Sequence, residues 1–193
     1  MSEQFSLFDS APPPSDRLFF GIYPDATTAE AITGQAQALR GARGLSGRPL
    51  ATDRFHVTLH EIGVFAGLPR GIVDKALEAG ALVAASPFDV VFDRAGSFNN
   101  RGANPFVLRG EAGLAALVAF QQVLGLAMAR TGLGRQVSKT FTPHVTLLYD
   151  KALVPEVPIE AVGWTVSEFV LIHSLIGQTR HVPLGRWALA RET

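Results

Sequence analysis

The sequence predicts an α+β protein with two related lobes around a central cleft, each lobe combining antiparallel strands with helices. Stretches typical of strands and helices follow one another without the strict alternation of a parallel sheet. The tetrad His-Val-Thr-Leu occurs twice, at 56–59 and at 144–147. Each copy follows a long helical stretch and a loop that contains glycines. We therefore expect two pseudo-symmetric lobes that bring the tetrads face to face.

The first half of the chain predicts three strands and two helices from its apolar pattern and turn residues. Pro24-Asp25 turns the chain after the first strand, and Thr27 or Thr28 is placed to cap the following helix. Gly67-Leu68-Pro69 precedes a second helix, which is rich in Ala and Leu. In chain order we expect a strand at 17–23, a helix at 28–40, the first tetrad strand at 54–64, a helix at 70–85 and a strand at 87–92.

The second half predicts four strands and one long helix. A polar loop at 97–104 comes first, and Leu, Val and Met then recur at helical spacing between Leu114 and Met128. Pro155 and Pro158 indicate a connector ahead of a stretch with strong β propensity. In chain order we expect a strand at 105–109, a helix at 114–131, the second tetrad strand at 141–149, and strands at 164–174 and 181–189.

The overall composition excludes several classes of protein. The 17 basic and 17 acidic residues balance, which argues against non-specific coating of nucleic acid, although the end of one RNA strand needs only local donors. The chain has no Cys, which excludes disulfides, thiolate metal sites and Cys nucleophiles. No apolar run approaches the roughly 20 residues of a membrane span, and the Pro-rich start lacks the apolar core of a signal peptide. We expect a cytoplasmic monomer that binds no membrane.

Strand geometry makes the repeated tetrad a candidate chemical site. Alternate side chains of a strand share a face, so His56 and Thr58 point to one side, and His144 and Thr146 do the same. Histidine can act as an acid or a base near pH 7, and a Thr hydroxyl can donate a hydrogen bond to a phosphoryl oxygen. Two His on opposite sides of one phosphorus suit in-line hydrolysis of a cyclic phosphate.

Other kinds of site fit the sequence less well. His56 and His60 would lie roughly 13 Å apart along a regular strand, which is too far to chelate one ion. His56 with His144 would give a two-His metal site without a carboxylate from the same strand faces. Neither the Gly-x-Ser-x-Gly elbow of a serine hydrolase nor the P-loop of an ATP-driven ligase occurs. We therefore predict no metal site and no cofactor.

Paired His-Val-Thr-Leu tetrads about ninety residues apart resemble the motifs of the two-histidine (2H) phosphoesterase superfamily. Within it, the chain is most similar to the RNA 2′,3′-cyclic phosphodiesterases of bacteria and archaea, historically called 2′-5′ RNA ligases (LigT-like). The segments 17–22, 141–147, 164–174 and 185–189 resemble the family's opening, second-motif and closing strands. The likeness spans roughly residues 17–190 and implies a bilobal fold in which the four motif residues meet in the central cleft.

The resemblance also implies a reaction and the roles of its residues. RNA 2′,3′-cyclic phosphate ends would be hydrolysed to 2′-phosphomonoesters, with His56 as general acid and His144 as the base that activates water. Thr58 and Thr146 would bind the phosphate. The same site run backwards would join a cyclic end to a 5′-hydroxyl as a weak 2′-5′ ligation without ATP. Because the tetrads are identical, the sequence alone does not distinguish the acid from the base.

One departure from the family's pattern follows the second tetrad. Relatives often carry Arg or Lys there, whereas this chain continues Leu148-Tyr149-Asp150. Neutralisation of the phosphate would then either be weaker or fall to another basic residue, namely Arg54, Arg101, Arg135 or Lys139. A smaller cyclic phosphate or a cyclic nucleotide becomes an alternative substrate, and a non-catalytic module that binds RNA ends is a second alternative.

Three further residues are candidate substrate contacts. His60 stands one step beyond Thr58 on the expected cleft face, and its alternative is an exposed strand end. Phe98 and Tyr149 are candidates for stacking on a base, with core packing as the alternative for Phe98.

The first 16 residues are expected to form a flexible arm ahead of a single domain at 17–193. Residues 11–16 are rich in Pro and predict a stiff, extended spacer. Gln4–Phe8 (Gln-Phe-Ser-Leu-Phe) resembles the short peptide by which bacterial proteins bind the replication sliding clamp, with Leu7 and Phe8 as anchors. The alternative is that these apolar residues fold back onto a lobe.

Overall fold

The computed structural model describes residues 12–190, which form two four-stranded antiparallel sheets and three α-helices. In chain order the elements are β1 (Asp16–Ile22), α1 (Ala26–Ala42), β2 (Val57–Phe65), α2 (Arg70–Ala81), β3 (Phe88–Ser97), β4 (Asn104–Arg109), α3 (Ala115–Arg130), β5 (Val145–Asp150), β6 (Val157–Val166), β7 (Glu168–Leu175) and β8 (Arg180–Ala188). The prediction of an α+β fold with antiparallel sheets is confirmed.

The two sheets place the tetrad strands in equivalent positions. The first sheet has the order β2-β1-β7-β8 and the second the order β5-β4-β3-β6, so each tetrad strand is an edge strand. Within residues 12–190, the first two strands and the last two strands belong to the first sheet, and the second sheet is built from the middle of this range. Helix α1 contacts β5 and β6, α2 contacts β7 and β8, and α3 contacts β2 and β3.

One continuous apolar core joins the two sheets. Phe20 of the first sheet, Phe92 and Phe106 of the second, and Leu117 and Leu124 of α3 belong to the same buried cluster. Burying side chains of this size contributes about 1.5–3 kcal/mol each before the opposing entropy is counted. The lobes are therefore packed through shared core rather than joined by a linker.

The predicted strand at 164–174 is two strands in different sheets, and this prediction was wrong. The chain passes from β6 to β7 at Ser167, whose carbonyl accepts a hydrogen bond from Leu189 N. Only one residue separates the two strands, so the β-rich run continues in the sequence and gives no signal of the change of sheet. The predicted connector at Pro158 is also wrong, because Pro158 lies within β6, an edge strand where a missing N–H is tolerated.

Smaller differences concern the ends of elements. Asp25, rather than Thr27 or Thr28, caps α1, because its carboxylate accepts hydrogen bonds from Thr28 N at 2.8 Å and from the Thr28 hydroxyl at 3.0 Å. Helix α2 ends at Ala81, four residues before the predicted end. Both tetrad strands begin at the Val after the His, so His56 and His144 immediately precede their strands.

Strand β1 begins at Asp16, one residue before the strand predicted at 17–23. Just before the strand, Ser15 N donates to Phe65 O and Ser15 O accepts from Ile176 N. Asp16 is buried and pairs with His173 at 2.5 Å. The predicted docking peptide at Gln4–Phe8 lies outside the described residues and stays a prediction.

Within residues 12–190, one helical stretch, Ala112–Arg130, is long and apolar enough to cross a membrane by length and composition. The expectation that no such run exists was wrong. In the structure this stretch packs Leu117, Leu124 and Met128 into the core with no exposure to solvent. Its apolar character therefore matches a core helix.

Candidate active site

The structure brings the polar residues of both tetrads into one small cavity. His56, Thr58, His144 and Thr146 all line a cavity of about 180 Å³ between the two sheets. The rest of its wall consists of Arg17, Leu50, Arg54, Tyr149, Ser174 and His181. Within the described part of the chain, no group of three or more His, Asp or Glu is arranged to hold a metal ion.

Each tetrad strand carries an irregularity at its Leu. Phe20 pairs with His60 and Gly21 with Thr58, so Leu59 is skipped in the register. In the second sheet the partners pass from Thr146 to Leu148 in the same way, with Leu147 skipped. A bulge of this kind adds one residue to one strand and reverses the side on which the following residues lie.

The bulge explains why the prediction for His60 was wrong. His60 is fully buried in the core instead of continuing the cleft face. Its Nε2 lies 2.8 Å from the Gln121 carbonyl, and its Nδ1 accepts from Ser138 N at 3.2 Å. His60 is therefore neither a substrate contact nor an exposed strand end.

Both candidate catalytic imidazoles are held in the same orientation. His56 Nδ1 lies 2.7 Å from the Arg54 carbonyl, and His144 Nδ1 lies 2.8 Å from the Thr142 carbonyl. A carbonyl can only accept, so Nδ1 must carry the proton and donate it. Nε2 is left as the nitrogen that accepts a proton in the neutral ring and gives one up in the charged ring.

Burial and nearby cations lower the pKa of both imidazoles. The pKa of His56 falls to about 4, mainly because burial penalises the charged ring, and Arg17, Arg54 and His144 add smaller repulsions. The pKa of His144 is lowered by burial and, to a smaller extent, by Arg109. In each case the carbonyl hydrogen bond acts in the opposite direction. Both rings are therefore mostly neutral at pH 7 before an anion binds.

Comparison with known proteins decides the family. A family model described as the 2′-5′ RNA ligase superfamily matches residues 23–176. The chain belongs to this superfamily. The RNA 2′,3′-cyclic phosphodiesterase of Escherichia coli (strain K12) is 32% identical over 151 residues, which cover 76% of this chain and 82% of that protein.

Solved structures extend the likeness to the whole of the superfamily fold. E. coli LigT in its apo form matches with a TM-score of 0.67 and 29% identity, over 93% of this chain and all of that chain. LigT complexed with 3′-AMP matches with a TM-score of 0.63 and 29% identity, over 92% of this chain and 99% of that chain. TT0787 of Thermus thermophilus has the same fold, with a TM-score of 0.72 at 23% identity over 91% of this chain and all of that chain.

In this member of the superfamily, each candidate catalytic His rests against a Phe whose ring is covered by an Arg. Phe19 contacts His56 with ring centroids 5.1 Å apart, and Arg17 lies 5.4 Å from the Phe19 centroid. In the other lobe Phe98 meets His144 edge-on at 5.0 Å, and Arg109 lies 5.4 Å from the Phe98 centroid. Phe98 therefore supports His144 and does not form part of the cavity wall, so its predicted contact with a base is not what its position favours.

Among the predicted basic contacts, the structure brings Arg54 into the cavity. Its Nε and Nη1 atoms are buried without a hydrogen-bond partner in residues 12–190, and Arg17 Nε is in the same condition. Buried donors of a cation that lack a partner are costly, so the wall is arranged to receive an anion. Arg101 is exposed on the loop after β3 and Lys139 lines a separate cavity beside His60, so neither is placed in this wall.

Of the two remaining predicted residues, one lines the catalytic cavity and the other does not. Tyr149 lines the cavity and is 51% exposed, as a side chain that stacks on a base would be. Arg135 lies exposed in the short turn Gly134–Gln136, away from the cavity.

A third imidazole, His181, belongs to the cavity and was missed from the sequence. Its ring meets His56 at right angles, with centroids 5.1 Å apart, and its Nδ1 lies 3.0 Å from the Tyr23 hydroxyl. Burial raises the pKa of Tyr23 to about 12, so the phenol keeps its proton and can donate it to Nδ1. Burial and neighbouring cations lower the pKa of His181 to about 3. When Nδ1 accepts this hydrogen bond, the neutral ring carries its proton on Nε2.

The sequence contains only a weak indication that His181 belongs to the site. His181 is one of five His in the chain and stands near the start of a strand predicted to close the fold. Arg17 gave a similar hint as a charged residue at the start of a buried strand. Neither residue lies near a tetrad in sequence, and only the sheet order β2-β1-β7-β8 brings their strands beside the first tetrad.

Proposed function

We propose that this protein hydrolyses 2′,3′-cyclic phosphate ends of RNA to 2′-phosphomonoesters. The observation that carries the proposal is the pair of His rings, each with Nδ1 bound to a carbonyl, that line one small cavity with two Thr hydroxyls and two cations. The name of the E. coli relative, RNA 2′,3′-cyclic phosphodiesterase, agrees with this chemistry.

Hydrolysis requires a base, an acid and donors for the phosphoryl oxygens. In the proposed scheme His144 Nε2 takes a proton from water, whose oxygen forms the new bond to phosphorus. The bond from phosphorus to the ribose O3′ breaks, and charged His56 gives its Nε2 proton to O3′. Phosphate stays on O2′. His144 has then gained a proton and His56 has lost one, so exchange with solvent must restore both rings.

Charge on the phosphoryl oxygens is met by donors from both lobes. Thr58 and Thr146 supply hydroxyls, and His181 Nε2 supplies a further N–H from the strand that closes the first sheet. Arg54 supplies positive charge that the residues after the second tetrad lack, and Arg17, which is paired with Glu61 at 2.5 Å, adds a smaller share. Donors fixed before substrate arrives need no reorganisation during the reaction, which makes them effective for charge that develops in the transition state.

The scheme uses no metal and no cofactor, and it also accounts for a ligation. A 5′-hydroxyl in place of water gives a 2′-5′ linkage by the same displacement, with His144 taking the proton of that hydroxyl and His56 again protonating O3′. Ligation needs no ATP because the cyclic phosphate itself carries the activated bond.

A smaller substrate is a second candidate. The catalytic cavity of about 180 Å³ is sized for a phosphate group, and nothing in the wall requires more than a cyclic phosphate or a cyclic nucleotide. Hydrolysis of such compounds at the same rate as RNA ends would favour this second candidate.

The test is hydrolysis of a short RNA that ends in a 2′,3′-cyclic phosphate, in the presence of EDTA. We expect turnover by the wild type to a product that resists a 3′-specific phosphatase, and a loss of at least about 100-fold in His56→Ala and in His144→Ala. His173→Gln is the matched control, because His173 lies outside the cavity and bonds to Asp16. Wild-type binding of the RNA without turnover would indicate a non-catalytic module instead, and activity restored only by a divalent ion would contradict the metal-free scheme.

A further inference from the structure

The catalytic cavity is too small to hold a nucleotide. Pockets that enclose a ligand of drug size usually measure about 300–1,000 Å³, whereas this cavity measures about 180 Å³. If the cavity holds the cyclic phosphate, the nucleoside and any nucleotides on its 5′ side must lie outside it. The surfaces next to the cavity therefore decide whether a longer RNA is preferred.

A larger groove adjoins the cavity on the side of α1. The groove measures about 850 Å³ and shares Arg54 and Leu50 with the catalytic cavity, so the two are direct neighbours. Its wall adds two arginines, Arg40 and Arg48, against a single acidic side chain, Asp53. Four further side chains add polar groups, namely Thr33, Gln37, Thr52 and Thr179.

The two added arginines are available to an anion. None of the ion pairs formed within residues 12–190 involves Arg40 or Arg48. Arg40 uses Nε to donate to the Gly47 carbonyl at 2.9 Å, which positions its guanidinium and leaves its terminal nitrogens for other acceptors. Arg48 is exposed on the same loop.

A second neighbouring groove, of about 470 Å³, offers less positive charge. Besides Arg54 and Asp53, which line both grooves, its wall contains Arg180, and an Arg186 that is paired with Glu168 at 2.5 Å. The charge balance therefore favours the groove with Arg40 and Arg48 for a polyanion.

The loop that carries Arg48 is tied to the second tetrad strand. The Asp150 carboxylate accepts from Ser46 N and Gly47 N, both at 2.7 Å. Leu50 N donates to Leu147 O at 2.8 Å, and Pro49 forms a β-bridge with Leu148. A Cβ at Gly47 would lie 2.1 Å from the Tyr149 carbonyl, so this approach of two backbones requires Gly.

We propose that the groove between Arg40 and Arg48 binds the phosphate backbone of the RNA strand on the 5′ side of the cyclic end. This inference rests on the proposed function and names its substrate class as oligonucleotides rather than mononucleotides. Contacts to phosphates carry no sequence information, so the groove favours length and not sequence. Tyr149, at the mouth of the cavity, is placed for the terminal base.

The first test compares two substrates in Arg40→Gln, Arg48→Ala and the double variant. The substrates are a mononucleoside 2′,3′-cyclic phosphate and a six-nucleotide RNA with the same end. We expect kcat/KM for the RNA to fall by about threefold for each arginine and by about tenfold in the double variant, as exposed charge contacts usually allow. We expect kcat/KM for the mononucleotide to stay unchanged. Arg43→Ala is the matched control, since this substitution removes the same charge from the end of α1 outside the groove wall.

The second test measures binding without turnover. A labelled six-nucleotide RNA with a 3′-phosphate is titrated by fluorescence anisotropy at several salt concentrations. Each phosphate contact on a single strand contributes about 0.7 to the slope of log K against log salt. The double variant should therefore show a slope shallower by about 1.4, and the Arg43→Ala control the wild-type slope.

The two measurements separate failure of the groove from failure of the proposed reaction. Equal losses for both substrates, or no loss for either, with an unchanged salt slope would overturn the groove. Salt-dependent RNA binding that weakens in the double variant, without hydrolysis of any cyclic phosphate, would support the groove and overturn the reaction.

Discussion

The pH dependence of catalysis is the most direct consequence of the partly buried imidazoles. Turnover needs one His charged and the other neutral, so kcat/KM follows the fraction of free enzyme with a single proton on the pair. The pKa of His56 is about 4, and that of His144 is lowered from 6.5. We expect a bell whose acidic limb lies near pH 4 and whose alkaline limb lies below pH 6.5. This expectation holds whichever His is the acid.

The size of the effect follows from these pKa values. With a pKa of about 4, roughly one His56 ring in a thousand is protonated at pH 7. Above the alkaline limb the singly protonated fraction falls tenfold per pH unit, so kcat/KM should fall by about 100-fold between pH 6.5 and pH 8.5. The profile of kcat should lie at higher pH, because the bound phosphodiester anion favours both charged rings.

Two arginine variants assign the limbs. Arg54 lowers the pKa of His56 and Arg109 lowers that of His144, so removing either cation should raise the pKa of its own ring. In initial-rate measurements from about pH 3.5 to 9, Arg54→Gln should move the acidic limb upwards and Arg109→Gln the alkaline limb. An alkaline limb of kcat/KM above about pH 7.5, or limbs that respond to neither variant, would refute control by burial and these cations.

Three further predictions follow from the same geometry. Thr58→Ala and Thr146→Ala should each lower kcat by about tenfold in steady-state assays, because each variant removes one hydrogen bond to a charged group. A loss as large as that of a His→Ala variant would contradict the assigned roles. Tyr23→Phe removes the hydroxyl that orients His181 and should lower kcat/KM by about three- to tenfold with unchanged circular dichroism. An unchanged kcat/KM would contradict a role of His181 in binding the phosphate. His60→Ala should lower the free energy of unfolding in urea by about 2 kcal/mol or more, because it leaves buried partners unpaired, while kcat of the folded enzyme stays the same.

The centre of the site could be predicted from the sequence because the information there is local. His56 and Thr58 lie two residues apart, as do His144 and Thr146, and the period of an extended chain is enough to place each pair on one side. Repetition of the tetrad then indicated that the pairs face each other. The roles given to the four residues stay a proposal, whereas their meeting in one cavity is a structural observation.

What could not be predicted depends on register and sheet order. The bulge at Leu59 turns His60 into the core, and nothing in the local sequence marks it. His181 reaches Tyr23 across 158 residues, through the antiparallel pairs β1–β7 and β7–β8. The crossover at Ser167 also leaves no signal in the sequence, because a strand lies on each side of it. Contacts of this range come from the packing of whole strands and are not encoded in any window of the sequence.

Asp150, the acidic residue after the second tetrad, is compatible with an anion site because backbone N–H groups already bind its carboxylate. Asp150 accepts from Ser46 N, Gly47 N and Ala152 N, and these hydrogen bonds lower its pKa to about 2. Its carboxylate therefore stays ionised and satisfied at the pH of catalysis, and the loop it holds carries Arg48 on the groove side. Positive charge in the catalytic cavity comes from Arg17 and Arg54 of the opposite lobe instead. Replacing Asp150 by a basic residue should consequently release the loop at Ser46 and Gly47 before it adds any attraction for phosphate.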